Sequence, residues 1–443
     1  MRETLRWIGY LIVTTFVLIA LVFTAYRIRG PSRAQRDALA LMRKDYRPQQ
    51  GVNAFPLLWY VEYDVPDDEV AKRYAAEVAS AGPEPDADFG SRRAPAATKL
   101  TEAEGDPARL CDRTGAGCLA KVRAEPEAMR VALSTYPVIR RRAKAFEATD
   151  YYWNDFRADE AASLTAVPTK AQRIWLSTFA LEYVDGDRAR ALADTCVNLA
   201  AWRRLHRGTN SLIGSMSAIS SADSAMRLFA DMLAALPDGE TAPDACVQAL
   251  RPIEVADVDR CAEMAGEFAF NRDRFAESFA RPRDAAPSWH ERAGTWLAVD
   301  VTQWEGWMAE QDARYCEEPP ARMLADLPPA APIVRNTERV ECISSVIACM
   351  MADIAAPAFE NYDERTLDYA AHVRLAATLL WLRETAGAGP LARRLDARPD
   401  ALVSRNHRAG YDAQSRTLFV DNMHGSRDEP FRLAIADPPD NGR

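Results

Sequence analysis

Between Trp7 and Tyr26 the chain reads WIGYLIVTTFVLIALVFTAY, 20 residues without a charge. As a helix this segment is about 30 Å long, enough to cross the hydrocarbon core of a bilayer. Trp7 and Tyr10 at one end, and Phe23 and Tyr26 at the other, suit the two membrane interfaces. A cleaved leader is the competing reading. Against it, the apolar run exceeds the usual core of a leader, and bulky Phe23 stands where a small residue would precede cleavage after Ala25. The expectation is a retained anchor that holds the chain to a membrane.

Two signals disagree about the side on which the body lies. Arg2 and Arg6 precede the span, whereas Arg27, Arg29, Arg33 and Arg36 follow it with no acid before Asp37. Counted literally, positive charge would keep the body in the cytoplasm. The even count of 8 cysteines argues for an oxidising compartment. Cys111 and Cys118 enclose DRTGAG, a turn-forming loop suited to a disulfide, and Cys246 and Cys261 flank a segment that reads as a turn between helices, so a bridge between them would staple a hairpin. Cys342 and Cys349, placed on one helix, would stand roughly 10 Å apart along its axis, too far for a mutual bond. Their pairing, and that of Cys196 and Cys316, stays open. Short N-terminal tails stay inside and long domains cross largely regardless of charge, so the body is expected in the periplasm of a bacterium, tethered to the inner membrane.

Few glycines (20 of 443 residues) and many Ala, Leu, Arg and Glu favour helix. The expected fold is mainly α. It comprises an anchor over 1–30, juxtamembrane helices and an exposed loop over 31–110, a bundle or solenoid-like body over 111–385, and a C-terminal segment over 386–443 with a small antiparallel hairpin or sheet. In GVNAFPLLWYVEYDVP, Asn53 suits an N-cap and Pro56 a first turn, so 54–62 reads as a short helix. It is too short to span a bilayer and is expected to bury Phe55, Leu58 and Trp59. The clearest helical block is 170–236, with turns at Asp185-Gly186 and Gly208. AGYDAQSRTLFVDN and FRLAIA supply three short alternating runs near the end.

Chemistry is sparse. A net charge of −9 speaks against a nucleic-acid partner. No phosphate loop, dinucleotide fingerprint or nucleophile elbow is present, and His290-Glu291 lacks the second histidine of a zinc helix. The five histidines (His206, His290, His372, His407, His424) are scattered, so no metal and no cofactor is expected. One constellation stands out. In SWHERAGTWLAVDVTQWEGW, Ser288 and Glu291 form a capping box. On a continuous helix Trp289, Trp296 and Trp307 would fall within about 20° of one another, with Trp304 about 60° away and Asp300 on the same stripe. The candidate ligand-binding set is therefore Asp300, Trp296, Trp304 and Trp307; packing of the core explains the same pattern.

The order of Asn53-Ala54-Phe55, Cys111–Cys118-Leu119, an α-rich middle and a hairpin from Tyr411-Asp412 to Leu418-Phe419 resembles an uncharacterised group of membrane-anchored, α-rich bacterial envelope proteins. The group's Gly-x-Tyr-Pro element is replaced here by AGAGPLARRL. The resemblance implies envelope placement and no known activity. The expected function is a single-pass interaction or scaffold module with a protein partner. The alternatives are a tethered hydrolase using Asp300, or an immunity-type inhibitor of an envelope toxin.

Overall fold

The computed structural model describes residues 2–81, 94–101, 107–156, 162–163, 166–280, 288–317, 319–325, 339–385, 390–423 and 429–436. The protein is mainly α-helical, with one N-terminal apolar helix and a small C-terminal three-stranded antiparallel sheet. Residues 82–93 and 102–106, within the stretch where an exposed loop is expected, and His424 lie outside the described residues. By contact the chain forms two units, each drawn from three stretches: 1–45, 264–317 and 330–362 in the first, and 46–263, 318–329 and 363–443 in the second. Boundaries drawn along the sequence do not capture this interleaving.

The first unit begins with the helix Arg2–Arg29; an 18-residue stretch within Arg6–Arg29 has a mean hydropathy of 2.4, and none of that stretch is buried. The helix Arg33–Met42 opens on a capping box: Gln35 N donates to Ser32 Oγ and Ser32 N to Gln35 Oε1. Its buried positions Gln35, Ala38, Leu39 and Met42 recur at helical spacing and pack on the helix Val301–Glu317.

The second unit is built on three successive helices, Thr169–Val184, Arg188–Arg207 and Leu212–Ala234. They match the block read from 170–236. Phe146 sits between Trp175 and Trp202, with ring centroids 4.9 and 4.4 Å away. Each indole N–H is used, Trp175 donating to Ile139 O and Trp202 to Gln172 Oε1. The segment 125–149 forms two helices, Pro126–Ser134 and Pro137–Glu147, because Pro137 cannot donate to a continuing ladder and instead starts a new helix.

The stretch after Asn53 docks as expected but forms a shorter helix, Phe55–Trp59, and Phe55, Leu58 and Trp59 are all buried. Asn53 does not cap by convention; its Oδ1 accepts from Phe55 N and Trp153 N, and its Nδ2 donates to Trp153 O. Arg142, 1% exposed, then supplies what the aperiodic backbone lacks. Its guanidinium donates to the carbonyls of Tyr60, Val61, Tyr63 and Val65 at 2.6–3.0 Å and to Asp67 at 2.9 Å. Carbonyls past a helix end need donors: those of Tyr60 and Tyr63 also accept from Tyr63 N and Val65 N, and the buried arginine serves Val61 and Val65 as well.

Strands β1 (Ala409–Asp412), β2 (Thr417–Val420) and β3 (Phe431–Ala434) pair in sequence order, with Leu418 opposite Tyr411 on one side and Leu433 on the other. Leu418, Val420, Phe431 and Leu433 are buried, as period-2 alternation requires, and β3 packs on Leu212–Ala234.

All cysteines are disulfide-bonded, Cys261 and Cys316 included. Cys111–Cys118 closes its loop with Cα atoms 5.0 Å apart. Within that loop Gly115 is required: it has φ +74°, and a Cβ there would lie 2.3 Å from Ser224 O. Two expectations need correction. Cys246 pairs with Cys196, not with Cys261, because the helices Arg188–Arg207 and Asp244–Ala249 pack together. Cys342 and Cys349 are bonded to each other, with Cα atoms 5.6 Å apart. They do not share one helix: a 3₁₀ turn, Val340–Ser344, ends at Ser345, and the helix Val346–Glu384 begins only after it. The bend brings together two residues that a straight helix would separate.

Candidate functional site

The tryptophan stripe is broken. Ser288 and Glu291 cap Trp289–Ala298 as expected, but Val299 is extended (φ −130°, ψ 128°) and a second helix starts at Val301. The helical phase is lost between them. Trp289 and Trp296 are 65% and 59% exposed, whereas Trp304 and Trp307 are buried at 4% and 0%. Trp304 stacks on Phe275 with rings 4.0 Å apart and 4° from parallel. Among the described residues, the indole N–H groups of Trp304 and Trp307 and the amide of Gln311 have no hydrogen-bond partner.

Asp300 stands at the break. Its Oδ1 accepts from Thr302 N (3.0 Å) and Gln303 N (3.2 Å), which caps the second helix, and its backbone N–H donates to Ser345 Oγ at 2.6 Å. Oδ2 lies 3.2 Å from Arg27 Nε, with the two side chains 16% and 12% exposed. Arg27 also donates to the carbonyls of Ser344 (2.8 Å), Val299 (3.1 Å) and Trp296. Phe23 meets Trp296 edge-on at 5.8 Å, and the Arg27 guanidinium lies 4.9 Å from the Trp296 ring. Gln303 donates to Tyr26 O at 3.2 Å. The geometry therefore brings Asp300 and Trp296 together around the last turns of the N-terminal apolar helix, and leaves Trp304 and Trp307 in the packed interior. Both oxygens of the carboxylate are engaged, so Asp300 here holds a helix start and an arginine.

The second unit carries three histidine networks that sequence spacing gave no means to assemble. His206 is buried between Ser215 Oγ (Nδ1, 3.0 Å) and Asp257 O (Nε2, 2.9 Å). A carbonyl only accepts, so Nε2 carries the proton and Nδ1 takes one from the serine hydroxyl. Burial lowers the His206 pKa, in keeping with this neutral form. His372 meets Asp223 Oδ1 and Asn422 Oδ1, each at 2.9 Å, and stacks on Phe431. His407 joins Asp368 Oδ1 (2.8 Å) to Ser404 Oγ (3.0 Å), and the same Asp368 oxygen accepts from Met423 N at 2.7 Å. The last two networks converge on Asn422-Met423 and tie the sheet to the helices. An Asp–His–Ser array invites a catalytic reading, but the His407 side chain is 0% exposed. The neighbouring cavity, lined by Arg374, Thr378, Arg398, Ser404 and Gly410, is about 20 Å³, room for one water.

Beside His206, the Asp257 carboxylate is fully buried and gripped by two forks: Arg203 at 2.7–2.8 Å and Arg207 at 2.6 Å. Burial alone would raise its pKa; the two guanidiniums outweigh that and hold it well below the usual carboxylate range. A run of basic residues reads as a solvated face in sequence, so neither Arg142 nor Arg203 signals its burial. Among the described residues no cluster of His, Cys, Asp and Glu is arranged to hold a metal ion. Comparison of the chain with family models, with curated proteins and with solved structures finds no match.

Proposed function

We propose that this is a single-pass bacterial inner-membrane protein whose body lies in the periplasm and works by interaction, as a scaffold or binding module near the membrane. The observation that carries the reading is the way the anchor ends. Val22, Phe23, Tyr26 and Arg27 are half-buried, and Arg27 is held by Asp300 and three backbone carbonyls. A leader that is cut away has no need of such integration, whereas a permanent anchor built into the first unit does. The oxidised cysteines support an extracytoplasmic body. For an interaction role, the support is a second unit whose described histidines are fully engaged and whose cavity is too small for a substrate.

The test is a C-terminal alkaline phosphatase fusion, read with intact mass after thiol alkylation. Active phosphatase, unalkylated cysteines and a mature chain retaining residues 1–26 are expected. Reduced thiols, or a chain starting beyond Tyr26, would overturn the proposal.

A further inference from the structure

The helix Val346–Glu384 begins inside out. Over its first turns Ala348, Cys349 and Ala352 are buried at 0%, while Ile347, Met350, Met351 and Ile354 are 45%, 50%, 48% and 70% exposed. The exposed set falls at i, i+3, i+4 and i+7, so it forms one continuous apolar stripe on the outer face. A helix washed by water shows the reverse pattern. The acids nearest in sequence do not sit out on this stripe: Glu341 and Asp353 are half-buried and act on the Arg339 guanidinium.

The position of the stripe says what covers it. The turn leading into this helix gives Ser344 O to Arg27, and Trp296 packs on Phe23. Val22 and Phe23 belong to the apolar run itself, so the elements that half-bury them stand at the level where the span leaves the hydrocarbon. Trp296, which meets Phe23, and its neighbour Leu297 are 59% and 53% exposed. Indole rings favour that boundary. Exposed Arg29, Arg33 and Arg36, which follow the span, suit phospholipid phosphates just above it.

We infer that the first unit is itself seated in the bilayer surface, with Ile347, Met350, Met351, Ile354, Trp296 and Leu297 immersed among the headgroups and upper acyl chains beside the span. The apolar stripe is thus a second, interfacial anchor that fixes the orientation of the unit on the membrane. This rests on the proposed retained anchor, and the test separates the two.

A photo-cross-linking amino acid is placed singly at Val17, Ile354 and Val131 of the full-length protein, reconstituted into vesicles of phosphatidylethanolamine and phosphatidylglycerol. All three positions are exposed, so the replacements leave the fold intact. Lipid adducts at Val17 and Ile354, and loss of the adduct at Val131, are expected. An adduct at Val17 without one at Ile354 overturns the interfacial seat and spares the anchor. Failure at Val17 removes both. A protein adduct at Ile354, to a second copy or to another chain, overturns the assignment to lipid.

Discussion

The two units solve the same problem with opposite surfaces. The second pairs its deepest charges: Asp257 has two arginines, Arg142 has four carbonyls and an aspartate, and Arg260 has Glu263 and Asp363. Its large exposed apolar residues, Val52, Val131, Val247 and Val255, are scattered along the sequence. The first instead turns Ile347, Met350, Met351 and Ile354 outward on one helix face. Buried side-chain polar atoms without a partner occur in both, at Trp304 and Trp307 in the first and at Arg140 and Asn198 in the second. Water penalises a continuous apolar stripe, whereas exposed apolar area costs nothing beside lipid. On the interfacial seat proposed above, burial has two references, water for one unit and lipid for the other.

The comparison breaks first if the ion networks of the second unit prove dispensable. Replacing Asp257 with Ala leaves the buried Arg203 without its anion, and Arg142→Met takes the arginine donor from the Val61 and Val65 carbonyls. Each change is expected to cost roughly 3–5 kcal/mol, read from denaturant unfolding of purified protein, and a loss under 1 kcal/mol would refute the account. Disulfides give the next effect. Cys196–Cys246 closes a separation of 50 residues and Cys111–Cys118 one of 7. By loop-closure entropy, alanine replacement of the first pair costs about 4 kcal/mol and of the second about 2 kcal/mol. Equal losses would show that this entropy is not what these bridges contribute.

A smaller effect sharpens the electrostatic half. Burial pushes the Asp231 carboxyl from 3.8 up to about 6, only partly offset by Arg123. The folded state then binds the proton more tightly than the unfolded state. Stability falls as pH rises between these two values and is level above them. Asp231→Asn should therefore stabilise the protein by roughly 1–3 kcal/mol at pH 7, with the gain gone below about pH 4. A gain that does not change with pH would contradict this sign. In the first unit, Asp300→Ala removes a helix cap and the partner of Arg27, for about 1–2 kcal/mol, while Asp300→Asn keeps the cap and loses less. Matching losses from the two substitutions would mean that the ion pair, not the cap, is what Asp300 contributes.

Legibility followed the range of the forces involved. The helices at 169–234 and the three strands were readable because period and turn chemistry are local, as was the six-residue loop between Cys111 and Cys118. The tryptophan stripe misled because its phase assumed an unbroken helix, and one extended residue, Val299, reset it. The same assumption hid the Cys342–Cys349 bond, where a 3₁₀ turn replaces the first helical turns. The histidine networks, and the burial of Arg142 and Arg203, had no local signal, since a buried cation differs from a solvated one only in what surrounds it.

By itself the sequence determined an apolar helix long enough for a membrane, a helix-rich body and a terminal sheet, because backbone periodicity and side-chain polarity act over a few residues. Only the tertiary structure decided which cysteines meet, which charges lose their water, and that Arg27 at the end of the N-terminal apolar helix closes on Asp300 more than 270 positions away. Those outcomes depend on distance through space, which a chain acquires only when its helices have packed.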